Sequence, residues 1–70
     1  MKVELRNDNL SEIKADFKRK KFVLFVTGAY MTKTGSSPKK SDAEVYNSNF
    51  FRSDFCKLLL KDGGAYLESI

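Results

Sequence analysis

Basic side chains occur in this 70-residue sequence at a spacing that could bind phosphate. Lys14, Lys18 and Lys21 occupy positions i, i+4 and i+7, which share one side of a helix. Such cations neutralise nucleic-acid phosphates, while Tyr30 and Tyr46 could stack on bases. A lysine row can also form a solvent-exposed helix face, so this pattern alone does not distinguish nucleic-acid binding from simple solvation. The candidate anion or nucleic-acid contacts are Lys14, Lys18, Arg19, Lys20, Lys21, Lys33, Lys39 and Lys40.

Residues suited to catalysis are scarce. General acid–base chemistry at neutral pH usually depends on histidine or on a carboxylate in an apolar pocket. The sequence has no histidine, and its nine acidic residues are scattered. Cys56, the single cysteine, has no histidine to activate it, so we interpret it as a small semi-buried side chain. We expect a protein that is not an enzyme and has no metal site and no cofactor.

Two short motifs suggest phosphate or DNA binding but fit poorly. The stretch TGAYMTKTGSS contains glycines and a lysine, yet the P-loop pattern requires lysine after its second glycine, and Ser36 follows Gly35. The tetrapeptide SPKK, residues 37–40, resembles the repeat in linker-histone tails, which favours the minor groove of A/T-rich DNA. It occurs once here, and a surface turn with Pro38 at its second position is the interpretation we favour.

Length and charge limit the class of protein. Seventy residues predict one small domain, residues 1–70. Residues 1–40 contain ten Lys or Arg against four Asp or Glu, whereas residues 41–70 contain three against five. This asymmetry favours an anionic partner. Because the longest apolar run is Phe22–Val26 and no secretory signal is evident, we expect a cytoplasmic, intracellular protein without membrane association.

The first half of the chain shows strand and helix patterns in turn. Residues 2–6 alternate as a strand does, and residues 10–19 carry apolar side chains at helical spacing. Residues 22–26, FVLFV, predict a central strand covered on both faces. Thr27-Gly28 then predicts either a bulge or a hairpin turn, and we favour the bulge because the second arm would be short.

The next segment predicts a loop followed by a helix start. Residues 32–41 are polar, hold the only proline and carry three lysines, which predicts an exposed basic loop. Ser41 followed by Glu44 forms a capping box, so a helix is expected to begin at Asp42. Asn47–Asn49 should interrupt it, because asparagine and serine favour caps over helix interiors; a second helix capped by Ser48 or Asn49 would follow.

Two adjacent phenylalanines follow this interruption. Phe51, Phe55, Leu58 and Leu59 fall on one face of a helix, whereas Phe50 lies about 100° from Phe51 among charged residues. We therefore expect Phe51 to point inward and Phe50 outward. The alternative is that Phe50 packs under the 32–41 loop and closes the core.

Together these elements predict an α+β (or small α/β) fold. After the second helix, Gly63-Gly64 provides a C-cap and AYLESI alternates as a final strand. The expected order is β-α-β-α-α-β, with about three strands, two to three helices and the helices on one face of the sheet.

The expected function is non-catalytic protein binding. An outward Phe50 beside exposed Arg52 provides residue types that dominate protein interfaces, and the candidate partner contacts are Phe50, Arg52, Tyr46 and Lys57. The partner would be a protein or a protein–nucleic-acid complex, and self-association as a homodimer is an alternative. By size and charge alone, with no shared motif, the chain fits the class of small phage and mobile-element inhibitors that includes anti-CRISPR proteins. A small basic nucleic-acid-binding protein using the clusters Lys18–Lys21 and Lys33–Lys40 is the alternative function.

Overall fold

Five antiparallel strands form one sheet in the computed structural model, which describes residues 2–70. The spatial order is β1-β5-β2-β3-β4, and the strands are β1 (Lys2–Glu4), β2 (Phe22–Val26), β3 (Ala29–Met31), β4 (Ser36–Ser37) and β5 (Ala65–Ser69). Two α-helices are present, α1 (Leu10–Asp16) and α2 (Asp54–Asp62). Three short 3-10 helices span Asn7–Asn9, Lys40–Asp42 and Ser48–Arg52. The α+β class is as expected, but the prediction of three strands and of the order β-α-β-α-α-β is wrong.

β2 lies at the centre of the sheet, as its uniformly apolar sequence predicts. It pairs with β5 on one side and with β3 on the other. Phe22, Val23 and Leu24 are buried. Alternation sends Phe22 and Leu24 to the face that carries the helices, whereas Val23 and Phe25 belong to the opposite face. β2 therefore contributes apolar side chains to both sides of the sheet.

Thr27-Gly28 forms a hairpin turn between β2 and β3, so the preferred bulge is wrong. Val26 pairs directly with Ala29, which leaves two residues in the connection. Both have positive φ angles, 49° at Thr27 and 87° at Gly28, as a type I′ turn requires. The short second arm is stabilised because β4 pairs with its other edge.

The segment after β3 differs from the expected loop and helix. Residues 32–41 are largely exposed, but they include β4 and the beginning of a 3-10 helix. The predicted helix beginning at Asp42 is wrong, because Ala43 has extended backbone angles. Asp42 accepts a hydrogen bond from the Ser37 hydroxyl (2.8 Å), and the Glu44 amide donates to the carbonyl of Met31 (3.0 Å). These contacts within the sheet region replace the capping box.

The second helical region is divided at Ser53 rather than at residues 47–49. Asn47 caps the 3-10 helix by accepting a bond from the Asn49 amide, and Ser53 caps α2 by accepting one from the Cys56 amide. Ser53 itself is extended, with φ −86° and ψ 155°. Gly63 ends α2 with a positive φ, as predicted.

The hydrophobic core lies between one face of the sheet and the helical layer. Its buried members come from residues 5–24 and 50–67: Leu5, Ile13, Phe17, Phe22, Leu24, Phe50, Cys56, Leu59, Ala65 and Leu67. α1, which ends at Asp16 instead of Arg19, contributes Ile13, and α2 contributes Cys56 and Leu59. Neither helix of the described chain has the length and apolar character needed to cross a membrane.

Candidate functional site

Phe50 is a core residue, which overturns the expectation that it points outward. Its side chain is only 5% exposed. The ring contacts those of Phe22, Tyr46 and Phe51 at centre-to-centre distances of 5.6, 5.5 and 5.5 Å. The alternative expectation, that Phe50 closes the core, is confirmed, with the ring packed on Phe22 of β2 and on Tyr46.

The 3-10 geometry of Ser48–Arg52 explains this result. Successive residues of a 3-10 helix are about 120° apart, and the extended Ser53 then starts α2 with a new phase. Phe51 and Phe55 are half-buried, while Leu58, expected on the inward stripe, is 52% exposed. A single helical wheel across residues 50–59 therefore assigns the wrong inward residues.

Phe50 contacts Tyr46 but is buried, so it forms no exposed surface with the remaining expected partner contacts. Arg52 and Lys57 are exposed, and Lys57 lies 4.0 Å from Asp54. Tyr46 is half-buried; its amide donates to the Phe22 carbonyl at 2.8 Å and its carbonyl accepts from the Phe22 amide at 3.0 Å. Its main role is therefore to extend the edge of β2 beyond the end of β3.

Tyr46 also has a perturbed hydroxyl. It donates a hydrogen bond to a carboxylate oxygen of Glu44 at 3.0 Å. Burial, followed by this hydrogen bond and the negative charge of Glu44, raises the pKa of Tyr46 to about 12. The hydroxyl therefore links Tyr46 to Glu44 within the segment, whereas the backbone hydrogen bonds to Phe22 attach that segment to β2.

The sheet face opposite the helices carries three aromatic rings on neighbouring strands. Phe25 of β2 is the register partner of Tyr30 on one side and of Tyr66 on the other. Directly paired residues share a face, so these side chains form a row across the sheet. The Phe25 and Tyr30 rings meet edge to face at 5.0 Å, and all three side chains are half-buried. We call this surface the open face, because both α-helices pack on the other side.

A hydrogen-bonded ion pair network centred on Glu68 borders the aromatic row. Glu68 accepts a hydrogen bond from the Tyr30 hydroxyl at 2.8 Å and pairs with Lys40 at 3.4 Å and Lys2 at 4.0 Å. The Tyr30 hydrogen bond, with the lysine charges, lowers the pKa of Glu68 against the opposing effect of burial. The Lys2 ammonium also lies 4.7 Å from the centre of the Phe25 ring, a cation–π distance. The network holds Tyr30 and Lys2 in place.

The alternation of residues in β5 is a sequence signal for this open face that the motifs alone do not reveal. β5 alternates strictly, with Ala65 and Leu67 buried and Tyr66 and Glu68 on the other side. An aromatic and a carboxylate on the outward positions of an interior strand indicate a surface that is neither core nor simple solvated face. Only the pairing with β2 shows that Tyr66 adjoins Phe25.

The expected anion contacts separate into several groups. Lys40 is committed to Glu68 and to the Ser69 carbonyl, which accepts from its ammonium at 3.0 Å. Lys20 and Lys21 lie beside Ser69 and Ile70, and they are exposed, as are Arg19, Lys33 and Lys39. Because α1 ends at Asp16, the predicted single helical row of Lys14, Lys18 and Lys21 does not form.

Lys14 and Lys18 nevertheless share a groove in the helical layer. Its volume is about 460 Å³ and its walls are formed by Lys14, Ala15, Lys18, Ser48, Phe51 and Arg52. The groove therefore combines two of the expected anion contacts with Arg52, which had been expected in the protein-binding set. Phe51, which the sequence predicts as inward, is half-buried and forms part of the wall.

Cys56 is buried more completely than the sequence predicts. Its side chain is 2% exposed and forms no disulfide. Burial raises the pKa of the thiol, and the charge of Lys14 opposes that effect. A protonated thiol is a poor nucleophile. Across residues 2–70, no three side chains of the usual metal-binding types come together.

Comparisons of the chain with protein-family models, curated proteins and solved structures find no match.

Proposed function

We propose that this protein is a non-catalytic protein-binding module that docks through the open face. The observation that supports this most directly is the row Tyr30, Phe25 and Tyr66 on a sheet face opposite both helices. Rigid aromatic side chains contribute much contact area for little loss of conformational entropy, and they are enriched at protein interfaces. Burial of Phe50 removes it as a docking residue and transfers that role to this row.

The charge on the open face favours a protein partner over a nucleic acid. Lys2 and Lys40 both pair with Glu68, so the lysines here are already partly neutralised. A surface that binds a phosphate backbone instead presents unpaired cations. An aromatic centre with a paired polar border suits a protein surface that presents apolar side chains.

The size of the protein supports a role as a regulator or inhibitor that covers a partner's functional surface. A standard interface buries about 800 Å² on each side, roughly a sixth of the 4834 Å² accessible surface of this chain. The molecule measures 28 × 25 × 21 Å, so one broad face provides an area of that order. In this proposal it acts by occlusion, as the small inhibitors of phages and mobile elements do.

The test is affinity capture from an extract of the native source, with and without nuclease, followed by mass spectrometry. Tyr66→Ser should release a partner that the unchanged protein retains, because it removes one of the three rings of the aromatic row. Leu58→Ser is the matched control, since this exposed side chain lies on α2, away from the open face. Purified partner and protein should then form a complex with the same dependence on Tyr66.

Two results would contradict the proposal. Equal retention of the partner by the Tyr66 and Leu58 variants would show that the open face is not the docking surface. Loss of capture on nuclease treatment would show that nucleic acid, not protein, provides the contact. Sedimentation of the pure protein adds a third check, because dimerisation abolished by Tyr66→Ser would make the partner a second copy of this chain.

A further inference from the structure

The groove of the helical layer is a second surface whose chemistry differs from that of the open face. Three cations, Lys14, Lys18 and Arg52, line it together with the hydroxyl-bearing Ser48 and the ring of Phe51. α1 contributes Lys14, and the turn after it contributes Lys18. The 3-10 helix Ser48–Arg52 contributes Ser48, Phe51 and Arg52. Its volume of about 460 Å³ falls within the range typical of small-ligand sites.

The positive charge of this groove is not neutralised locally. Among residues 2–70, no carboxylate lies within 4.0 Å of the ammonium or guanidinium groups of Lys14, Lys18 and Arg52. No acidic residue lines the groove either. Lys2 and Lys40, by contrast, are paired with Glu68. Three unpaired cations around one concave surface attract an anion, and the planar guanidinium of Arg52 suits bidentate contact with phosphate.

The aromatic wall narrows the class of ligand. Phe51 is held from behind by the rings of Phe22 and Phe50, at 5.6 and 5.5 Å, and remains half-buried at the groove. A fixed ring beside unpaired cations provides a stacking surface for a base next to contacts for its phosphates. Bases are free to stack in this way only when the strand is unpaired.

We propose that the groove of Lys14, Lys18, Phe51 and Arg52 binds single-stranded nucleic acid, with phosphates on the cations and a base on Phe51. This assignment does not depend on the open face, which lies on the other side of the sheet. It also narrows the basic surface: Lys14, Lys18 and Arg52 are the contacts, whereas Lys33, Lys39 and Lys40 are not.

Fluorescence anisotropy with labelled 12-nucleotide DNA and RNA strands, at increasing salt concentration, tests this assignment. Replacing Lys14 and Lys18 by Ser should weaken binding by about tenfold or more. It should also make the slope of log K against log salt concentration less negative by roughly 1.4, because two phosphate contacts are lost. Replacing Lys33 and Lys39 by Ser is the matched control, since it removes the same charge from positions outside the groove. That control should weaken binding by about threefold or less.

Three further variants test the aromatic and guanidinium contacts. Phe51→Leu keeps an apolar side chain against Phe22 and should reduce single-strand affinity by about fivefold or more through loss of stacking. Arg52→Lys keeps the charge and should reduce affinity less than Arg52→Ser. Circular dichroism establishes that each variant is folded before its affinity is compared.

Any of three results would overturn the assignment. The first would be that the unchanged protein binds no strand at 20 mM salt. The second would be that the two double-lysine variants lose affinity equally. The third would be that a poly-glutamate peptide competes for binding as well as an unlabelled oligonucleotide does. The second result would indicate attraction by net charge alone, and the third would indicate an acidic protein ligand. Tighter binding of duplex than of single strands would also exclude the stacking role of Phe51.

Discussion

The ring of Phe50 meets the ring of Phe22 edge to face, with 5.6 Å between their centres and 78° between their planes. Phe22 lies on the central strand and is fully buried, so this contact joins the 3-10 helix to the middle of the sheet. Edge-to-face pairs contribute about 0.5–1.5 kcal/mol beyond the burial of their area. Phe50 therefore belongs to the structure of the core.

Replacement of Phe50 by Ala is expected to lower the free energy of unfolding by about 3–5 kcal/mol. A chain of this length is expected to have only about 4–10 kcal/mol in total, so Phe50→Leu, with a smaller cavity, is the variant that stays measurable. Urea denaturation followed by circular dichroism gives both values. Leu58→Ala on the exposed side of α2 should change stability by less than about 1 kcal/mol. A Phe50→Ala protein as stable as the parent would place this ring outside the core.

The turn between β2 and β3 predicts a stabilising substitution. Thr27 has φ 49°, a conformation that a β-branched residue rarely adopts, while asparagine adopts it more readily. Thr27→Asn creates the Asn-Gly pair favoured in two-residue hairpins and should raise stability by about 0.5–1 kcal/mol.

Gly28→Ala is the opposite change: a Cβ at Gly28 would meet no atom within 4 Å, so only the positive φ of 87° opposes it. We expect a loss of about 1 kcal/mol. Thermal unfolding of both variants tests the assignment, and stabilisation by Gly28→Ala would contradict it.

The hydroxyl of Tyr46 should make stability fall at high pH. Its pKa is raised to about 12 in the folded protein, mainly by burial, from an ordinary value of 10.0. The unfolded chain therefore releases this proton first, so the contribution is complete below pH 10 and is lost as pH rises from 10 to 12. Discounted for partial solvent exposure, the effect is on the order of 1 kcal/mol. Comparison with Tyr46→Phe, whose stability should fall less across this window, isolates the contribution. Parallel curves for the two proteins would show that Tyr46 does not cause it.

The hydrogen bond from Tyr30 should control the acidity of Glu68. It is the largest cause of the lowered Glu68 pKa, ahead of the two lysines. Tyr30→Phe should therefore move that pKa back towards its ordinary value of 4.5, which carbon-detected NMR of the carboxyl group would measure. A lowered pKa stabilises the fold above pH 4.5, and this contribution disappears as pH falls through the folded pKa. The stability difference between parent and variant should thus vanish in acid. An unchanged Glu68 titration in Tyr30→Phe would show that the hydrogen bond is absent in solution.

The sequence predicted the elements that carry regular patterns over five or more residues. The apolar run predicts β2, the alternation in AYLESI predicts β5, and the glycines predict the end of α2. β3 and β4 contain three and two residues, too few for a period of two to be recognised, and their strand character comes from pairing with neighbours. Pairing with neighbouring strands therefore determines the strand character of β3 and β4, which the local sequence pattern does not predict.

The incorrect sequence predictions around the candidate sites have the same physical origin. Ser41 and Glu44 match a capping box, but the 3-10 helix ends at Asp42, Ala43 is extended, and the Glu44 amide bonds to Met31. A single helical phase across residues 50–59 places Phe50 wrongly, because the extended Ser53 interrupts the helix. The groove joins residues of α1 to residues some 34 positions later, an adjacency that residue spacing does not encode.

The outermost strands of the described sheet, β1 and β4, are also among its shortest, with three and two residues. A sheet border this brief offers few unpaired amide and carbonyl groups for an additional strand from another molecule. Growth of extended cross-β assemblies by strand addition is thereby disfavoured, even at high protein concentration. Any association of two copies should consequently use a face of the sheet in preference to its edges.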